Sequence, residues 1–286
     1  MLTILASTLH AQEPSITETP KLANSRLTEA SGLAASRRYP GLYWAINDSG
    51  KPAELFLLDA TGADLGTVAV TGAHNRDWED LASATVDGQH LLVIGDVGDN
   101  AGRRKHVQLY VLTEPELVDG RAPRDAAASL LRTIRVRYPD GAADCESVAI
   151  DPISRRIWLL TKRSSPPRIY TVALAPADPE AVQLAEPLAD LPFANASRLQ
   201  KAMQAPTAMD LSPDTRSLAV LSYTTTYLWH RTADQTWATA LTVAPTALPL
   251  TAPQAEALCF SIDARTLFVT GEFRHAILRS ALVPRD

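Results

Sequence analysis

The segment DWEDLASATVDGQHLLVIGDVGDN (Asp77–Asn100) sets acids before one apolar run, breaks at Asp and Gly, and ends a second apolar run in acids again. Its first part recurs along the chain. Aligned on their apolar residues, SGLAAS (from Ser31), EDLASA (from Glu79), ESVAID (from Glu146), TAMDLSPD (from Thr207) and EALCFSID (from Glu256) form a series. Self-similarity at a spacing of roughly 50–65 residues marks a repeat architecture. After each phrase comes a short β-rich run: LYWAIND, HLLVIGDVGD, RIWLLTKR, SLAVLSY and TLFVTGE. A third run follows (ELFLLDA, VQLYVLTE, RIYTVAL, TYLWHRT, HAILRSAL), and often a fourth (GTVAVTG, RTIRVRY, AVQLAEPL, ATALTVA). Short β-branched and aromatic runs punctuated by Gly, Pro, Asp and Ser are strands and turns. The middle runs are apolar almost throughout, as strands covered on both faces are.

Four strands per unit, repeated radially, predict an all-β protein: a β-propeller of four-stranded blades. Five units are countable, and six stays open because Arg121–Arg132 and Pro187–Gln204 are long enough to hold more structure. The first of these, APRDAAASLLR, reads as a short helix. The last unit shows three strands before Asp286, so its outer strand is expected from the N-terminal segment Ser15–Leu22, closing the ring. One domain is expected over residues 14–286.

In a blade the first strand lines the central channel and the second returns to the face where the first began. Strand-one starts and strand-two ends therefore meet at one channel mouth. The starts bring Ser31, Glu79 with Asp77 and Asp80, Glu146 with Asp144, Thr207 and Glu256. The ends bring Asn47, Asp48, Asp96, Asp99, Asn100, Lys162, Arg163, Tyr223 and Glu272. Packed carboxylates must hold a proton or share a cation, and oxygen-rich clusters suit calcium, with its 6–8 hard ligands. The expected metal ligands are Glu79, Asp96, Asp99, Asn100, Glu146, Glu256 and Glu272. Glu79, Glu146 and Asp96 are the candidates for catalysis. Lys162, Arg163, Asn47, Asp48, Tyr223 and Arg274 are those for holding a small anionic substrate. Two plainer accounts compete: a structural ion-pair network around Lys162, Arg163 and Arg274, and turn chemistry alone for GDVGDN. That loop lacks the spacing of an EF-hand.

The net charge of −5 argues against a general nucleic-acid binder. No run approaches the ~18 apolar residues of a membrane span. Leu2–Leu9 with LHAQ before Gln12 reads as the remnant of a secretion signal over residues 1–13, without the basic start such a signal has. A secreted or periplasmic monomer is expected. Cys145 and Cys259 read most simply as buried free thiols, with a disulfide as the exported alternative. No nucleophile elbow, P-loop, dinucleotide fingerprint or zincin motif is present.

SGLAASRRYPGLYWAINDSG, DWEDLA, GDVGDN, DCESVAIDP, IWLLTKR and QAEAL together resemble a bacterial family of exported propeller proteins, itself described as similar to esterase-like phytase propellers. The likeness runs from about Thr28 to Glu272. Ala255 stands where a Gly is expected, and Cys145 where an Ala is. The resemblance implies a propeller, export and calcium, and fixes no substrate. The function expected is a calcium-dependent hydrolase of phosphoester or lactone-like substrates at the acidic mouth. The alternative is a propeller that binds a ligand or a protein partner without catalysis.

Overall fold

The computed structural model describes residues 15–192 and 203–284. The stretch 1–13 and the Asn195–Ser197 acceptor-like triplet lie outside them. Strand β1 is Ile16–Lys21. Then come β2 Ala30–Ala35, β3 Leu42–Asn47, β4 Glu54–Asp59 and β5 Asp64–Thr71. The next sheet holds β6 Trp78–Val86, β7 Gln89–Asp96, β8 Val107–Thr113 and β9 Ala127–Arg137. It is followed by β10 Cys145–Asp151, β11 Arg156–Thr161, β12 Arg168–Ala173, β13 Val182–Leu184 and β14 Glu186–Asp190. The last two sheets hold β15 Pro206–Leu211, β16 Ser217–Ser222, β17 Thr226–His230 and β18 Thr246–Leu248, then β19 Ala255–Phe260, β20 Thr266–Gly271 and β21 Ile277–Leu282.

Among the described residues these strands make five antiparallel four-stranded units: β2–β5, β6–β9, β10–β11–β12–β14, β15–β18 and β19–β20–β21–β1. The first two units are joined by a parallel pairing of β5 with β9. The innermost strands β2, β6, β10, β15 and β19 each pack on the next, and β19 returns to β2. The N-terminal strand β1 pairs antiparallel with β21 and supplies the outer strand of the last unit. The protein is a β-propeller. Residues 193–202, within the segment held open for a sixth unit, lie outside the described residues.

Burial falls from the axis outward. Strands β2, β10, β15 and β19 are buried at every position, whereas β1 and β14 have no buried residue. One hydrophobic cluster fills each gap between neighbouring sheets. Trp44, Ile46, Leu81 and Leu92 pack between the first and second, and Trp158, Leu160, Met209 and Trp229 between the third and fourth. Cys145 and Cys259 are free, buried thiols inside two of these clusters. Each large side chain so buried contributes about 1.5–3 kcal/mol.

Three segments depart from the sequence expectation. Arg121–Arg132 holds no helix: from Ala127 it is the outer strand β9, paired to β8 on one edge and to β5 and β13 on the other. Alanine's helix propensity loses to the ladder hydrogen bonds that the strands on both edges offer. AVQLAEPL splits, so that β13 joins the preceding sheet and only β14 serves its own. ATALTVA is no strand; Trp237–Ala240 is one helical turn capped by Thr236, and β18 is the fourth strand instead.

Candidate functional site

The inner strands share one irregularity at their first residues. In every sheet the pairing of the first strand with the second slips by one residue, between Ala30/Gly32, Trp78/Asp80, Cys145/Ser147, Pro206/Ala208 and Ala255/Ala257. The residues left over are Ser31, Glu79, Glu146, Thr207 and Glu256, the same five that open the repeated phrases. A β-bulge of this kind bends the strand and re-aims one side chain out of the alternating pattern. Ser31 donates its hydroxyl to the Trp78 carbonyl at 2.9 Å, and Thr207 to the Ala255 carbonyl at 2.7 Å. The second, third and fifth sheets carry glutamates at the equivalent positions, and all three are buried.

Asp48, Asp77 and Glu79 each offer a carboxylate oxygen within 4.8 Å of the other two. Asp48 arrives from the end of β3 and the other two from the start of β6. Asn75 joins these elements: its amide donates to the carbonyls of Asn47 (3.0 Å) and Asp48 (2.7 Å), and its oxygen accepts from the Trp78 backbone at 3.2 Å. The fourth residue of GDVGDN is part of the same cradle. A Cβ on Gly98 would lie 2.1 Å from Glu79 Oε1 and 2.5 Å from Asp77 Oδ2, so only glycine fits against both carboxylates.

No ion pair reaches Asp48, Asp77 or Glu79 among the described residues. Burial pushes Asp77 up to about 6, helped by the Asp48 charge and opposed by Arg104 at longer range. Burial raises Glu79 well above the carboxylate range, and its neighbours Glu146, Asp48 and Asp77 add to this. Glu79 and Glu146 share a hydrogen bond, which favours the neutral form of Glu79. Beyond Asp48, Glu272 is raised to about 7 by its burial and by Asp48.

The other half of the mouth is organised by Lys162. Its Nζ lies 3.0 Å from Glu146 Oε2 and 5.3 Å from the centre of the Tyr223 ring. Burial alone would lower the lysine, but Glu146, Glu256 and Tyr223 overcome it and hold it firmly charged. Glu256 is pushed up to about 8 by burial and Glu146, against the pull of Lys162, and shares a hydrogen bond with Tyr223. Tyr223 is raised to about 12, chiefly by burial.

The remaining expected residues have other partners. Asp96, fully buried, pairs with Arg104 at 2.7 Å. Asp99 folds its own loop by accepting from the backbones of Arg103 (2.9 Å) and Arg104 (2.8 Å). Arg163 is bound to Asp144 and Asn100 on the rim. The Asn47 side chain accepts from the Thr28 and Glu29 backbones and donates to Arg26. Arg274 lies exposed in the turn after β20. Asp80 faces away from the mouth, at 2.8 Å from the Leu81 amide, 2.9 Å from Val148 and 3.3 Å from Met209. The sequence placed Asp77 at the mouth without naming it a ligand, and missed Asn75 and Gly98. The signal for all three was their closeness to DWED and GDVGDN.

Comparison with known proteins agrees with the fold. No protein-family model matches the chain, and no curated protein matches it. Among solved structures, it is similar to the PQQ-bound form of aldose sugar dehydrogenase from Streptomyces coelicolor. The TM-score is 0.51 at 13% identity, over 95% of this chain and 99% of that one. It is also similar to Kuenenia stuttgartiensis hydrazine synthase, with a TM-score of 0.47 at 9% identity, over 90% of this chain and 71% of that one. At such identities the first likeness supports the propeller architecture alone.

Proposed function

We propose that the mouth binds a divalent cation, calcium by the chemistry of its oxygens, and that the protein is a metal-dependent hydrolase of small anionic esters. The observation that carries this is the set Asp48, Asp77 and Glu79: three carboxylate oxygens within 4.8 Å of one another, none of them in an ion pair among the described residues. Such a group is held together only by protons or a cation, and all-oxygen donors favour a hard one. A cation there would polarise a phosphoryl or lactone carbonyl oxygen and acidify a bound water.

The chain's own groups suit that task. Lys162, fixed between Glu146 and Tyr223, presents a charge to an anionic substrate. Glu146, set between Glu79 and Lys162, would serve as a proton acceptor if a cation held Glu79 in its ionised form. The resemblance to esterase-like phytase propellers points to phosphoesters and lactones. Export, expected from the N-terminal segment, would place the protein where free calcium is plentiful.

The test is thermal unfolding with calcium and after chelation, for the native protein, Asp77→Asn/Glu79→Gln and Gly98→Ala. A ligand at a hundredfold excess over its Kd adds about 2.7 kcal/mol. A rise in midpoint that both variants lose, with calcium-dependent turnover of aryl phosphates or lactones, is the expected result. A rise without turnover would leave a binding propeller. No rise in the native protein would remove the cation and, with it, the hydrolase.

A further inference from the structure

Outside the mouth, a cavity of about 290 Å³ opens at the end of the second sheet, beside the segment that leads to the third. It is bounded by the loop entering β8 and by the segment leaving β9. We infer that this cavity binds a small organic anion, an oxyanion carried on a short apolar body.

The charge of its wall is the first ground. Arg104, Lys105, His106 and Arg137 line it, against one acid, Asp99. That acid is engaged by the Arg103 and Arg104 backbones. Lys105 and Arg137 are exposed and make no ion pair among the described residues. A patch of this sign is unusual on a chain of net charge −5, and it concentrates anions.

The second ground is a polar atom left without a partner. Arg104 spends Nη1 on Asp96 at 2.7 Å and on the Gly98 carbonyl at 2.9 Å, while its buried Nε has no acceptor. Buried polar groups are nearly always satisfied, and Arg104 lines the cavity, so a small shift of its guanidinium toward an oxyanion there would supply the partner that the chain does not. The third ground is the rest of the lining. Val107, Val136 and Ala143 are apolar, which suits a ligand with a hydrocarbon part over a bare inorganic ion.

The experiment is calorimetric titration with phenyl phosphate, benzoate and inorganic phosphate, in chelator so that the mouth holds no cation. Native protein, the exposed pair Lys105→Ala/Arg137→Ala and Glu79→Gln are compared. The expected result is saturable binding of phenyl phosphate or benzoate, tighter than inorganic phosphate. The basic double variant should weaken it about tenfold, and Glu79→Gln should leave it unchanged. No saturable binding of an organic probe at millimolar concentration overturns the inference. So does binding that survives the basic double variant, or that Glu79→Gln abolishes, because it then belongs to the mouth. None of these outcomes bears on the calcium test.

Discussion

Lys162 shows what one buried charge does here. Its side chain is 13% exposed and that of its partner Glu146 only 4%. Removing one member of a buried pair strands the other, which costs about 3–5 kcal/mol, whereas replacing both is far milder. Lys162→Met should therefore be more destabilising than Lys162→Met/Glu146→Gln in urea unfolding at pH 8. The deficit of the single variant should shrink at pH 5, where the stranded carboxyl takes up a proton. Equal losses for the single and double variants would mean that Lys162 acts only through its hydrocarbon stem and the Tyr223 ring. At this scale the sequence was informative about residue type and uninformative about partner. Glu79 and Asp96 both end up buried and acidic near the same loop. One joins an unpaired cluster and the other pairs with Arg104, because the Arg104 backbone is pinned by Asp99 eight residues or fewer from both loop ends. Nothing in GDVGDN itself foretells that.

At the scale of the strand, the bulge is the device that matters. A strand alternates its side chains between two faces, so Glu79 and Asp80 would diverge in any case. The extra residue in β6 lets Glu79 stay at the mouth while Asp80 turns to the backbone of two other sheets. The Asp80 carboxylate accepts from β6, β10 and β15 and is 0% exposed. Asp210 repeats the arrangement toward Phe260 at 2.8 Å. Asp80→Ala would leave buried amides without acceptors, at about 1–3 kcal/mol each. It should lower stability by more than Glu79→Gln does, and leave a larger fraction of the protein aggregated on refolding. If the two variants unfold at the same denaturant concentration, Asp80 does not tie the inner strands together. The repeated phrases made this pattern legible, since aligning them places Ser31, Glu79, Glu146, Thr207 and Glu256 in one column. The helix expected near Arg124 failed for the opposite reason. A run of alanines has a local preference, and the neighbouring sheet edge that overrules it is remote in sequence.

For the whole molecule, gathering carboxylates at one end of a closed ring carries a pH signature. Burial raises Asp77 to about 6, Glu272 to about 7 and Glu256 to about 8, while the unfolded chain titrates near ~4. Between those limits the folded state holds more protons than the unfolded one, so stability falls as pH rises. It is fully present below about pH 4 and lost progressively through about pH 8. In chelator, the urea midpoint should drop steadily from pH 5 to pH 8. Saturating calcium should flatten the slope, because a bound cation favours the ionised ligands. A midpoint that stays level or climbs over this range in chelator would contradict the burial assigned to these groups.

The sequence by itself determined the strand-rich repeat, the propeller, the use of an N-terminal strand to close it, and the column of residues that opens each inner strand. Those follow from short-range pattern: apolar runs of strand length, turn residues between them, and one phrase recurring at a regular interval. Only the tertiary structure decided which acids stand together unpaired, which are taken by Arg104, Arg163 or Lys162, and that a basic cavity lies behind Arg104. Those outcomes depend on distances between groups far apart in the chain, from Asp48 to Asp77 and from Glu256 to Lys162. Such distances are set by how neighbouring sheets pack, and a local pattern does not contain them.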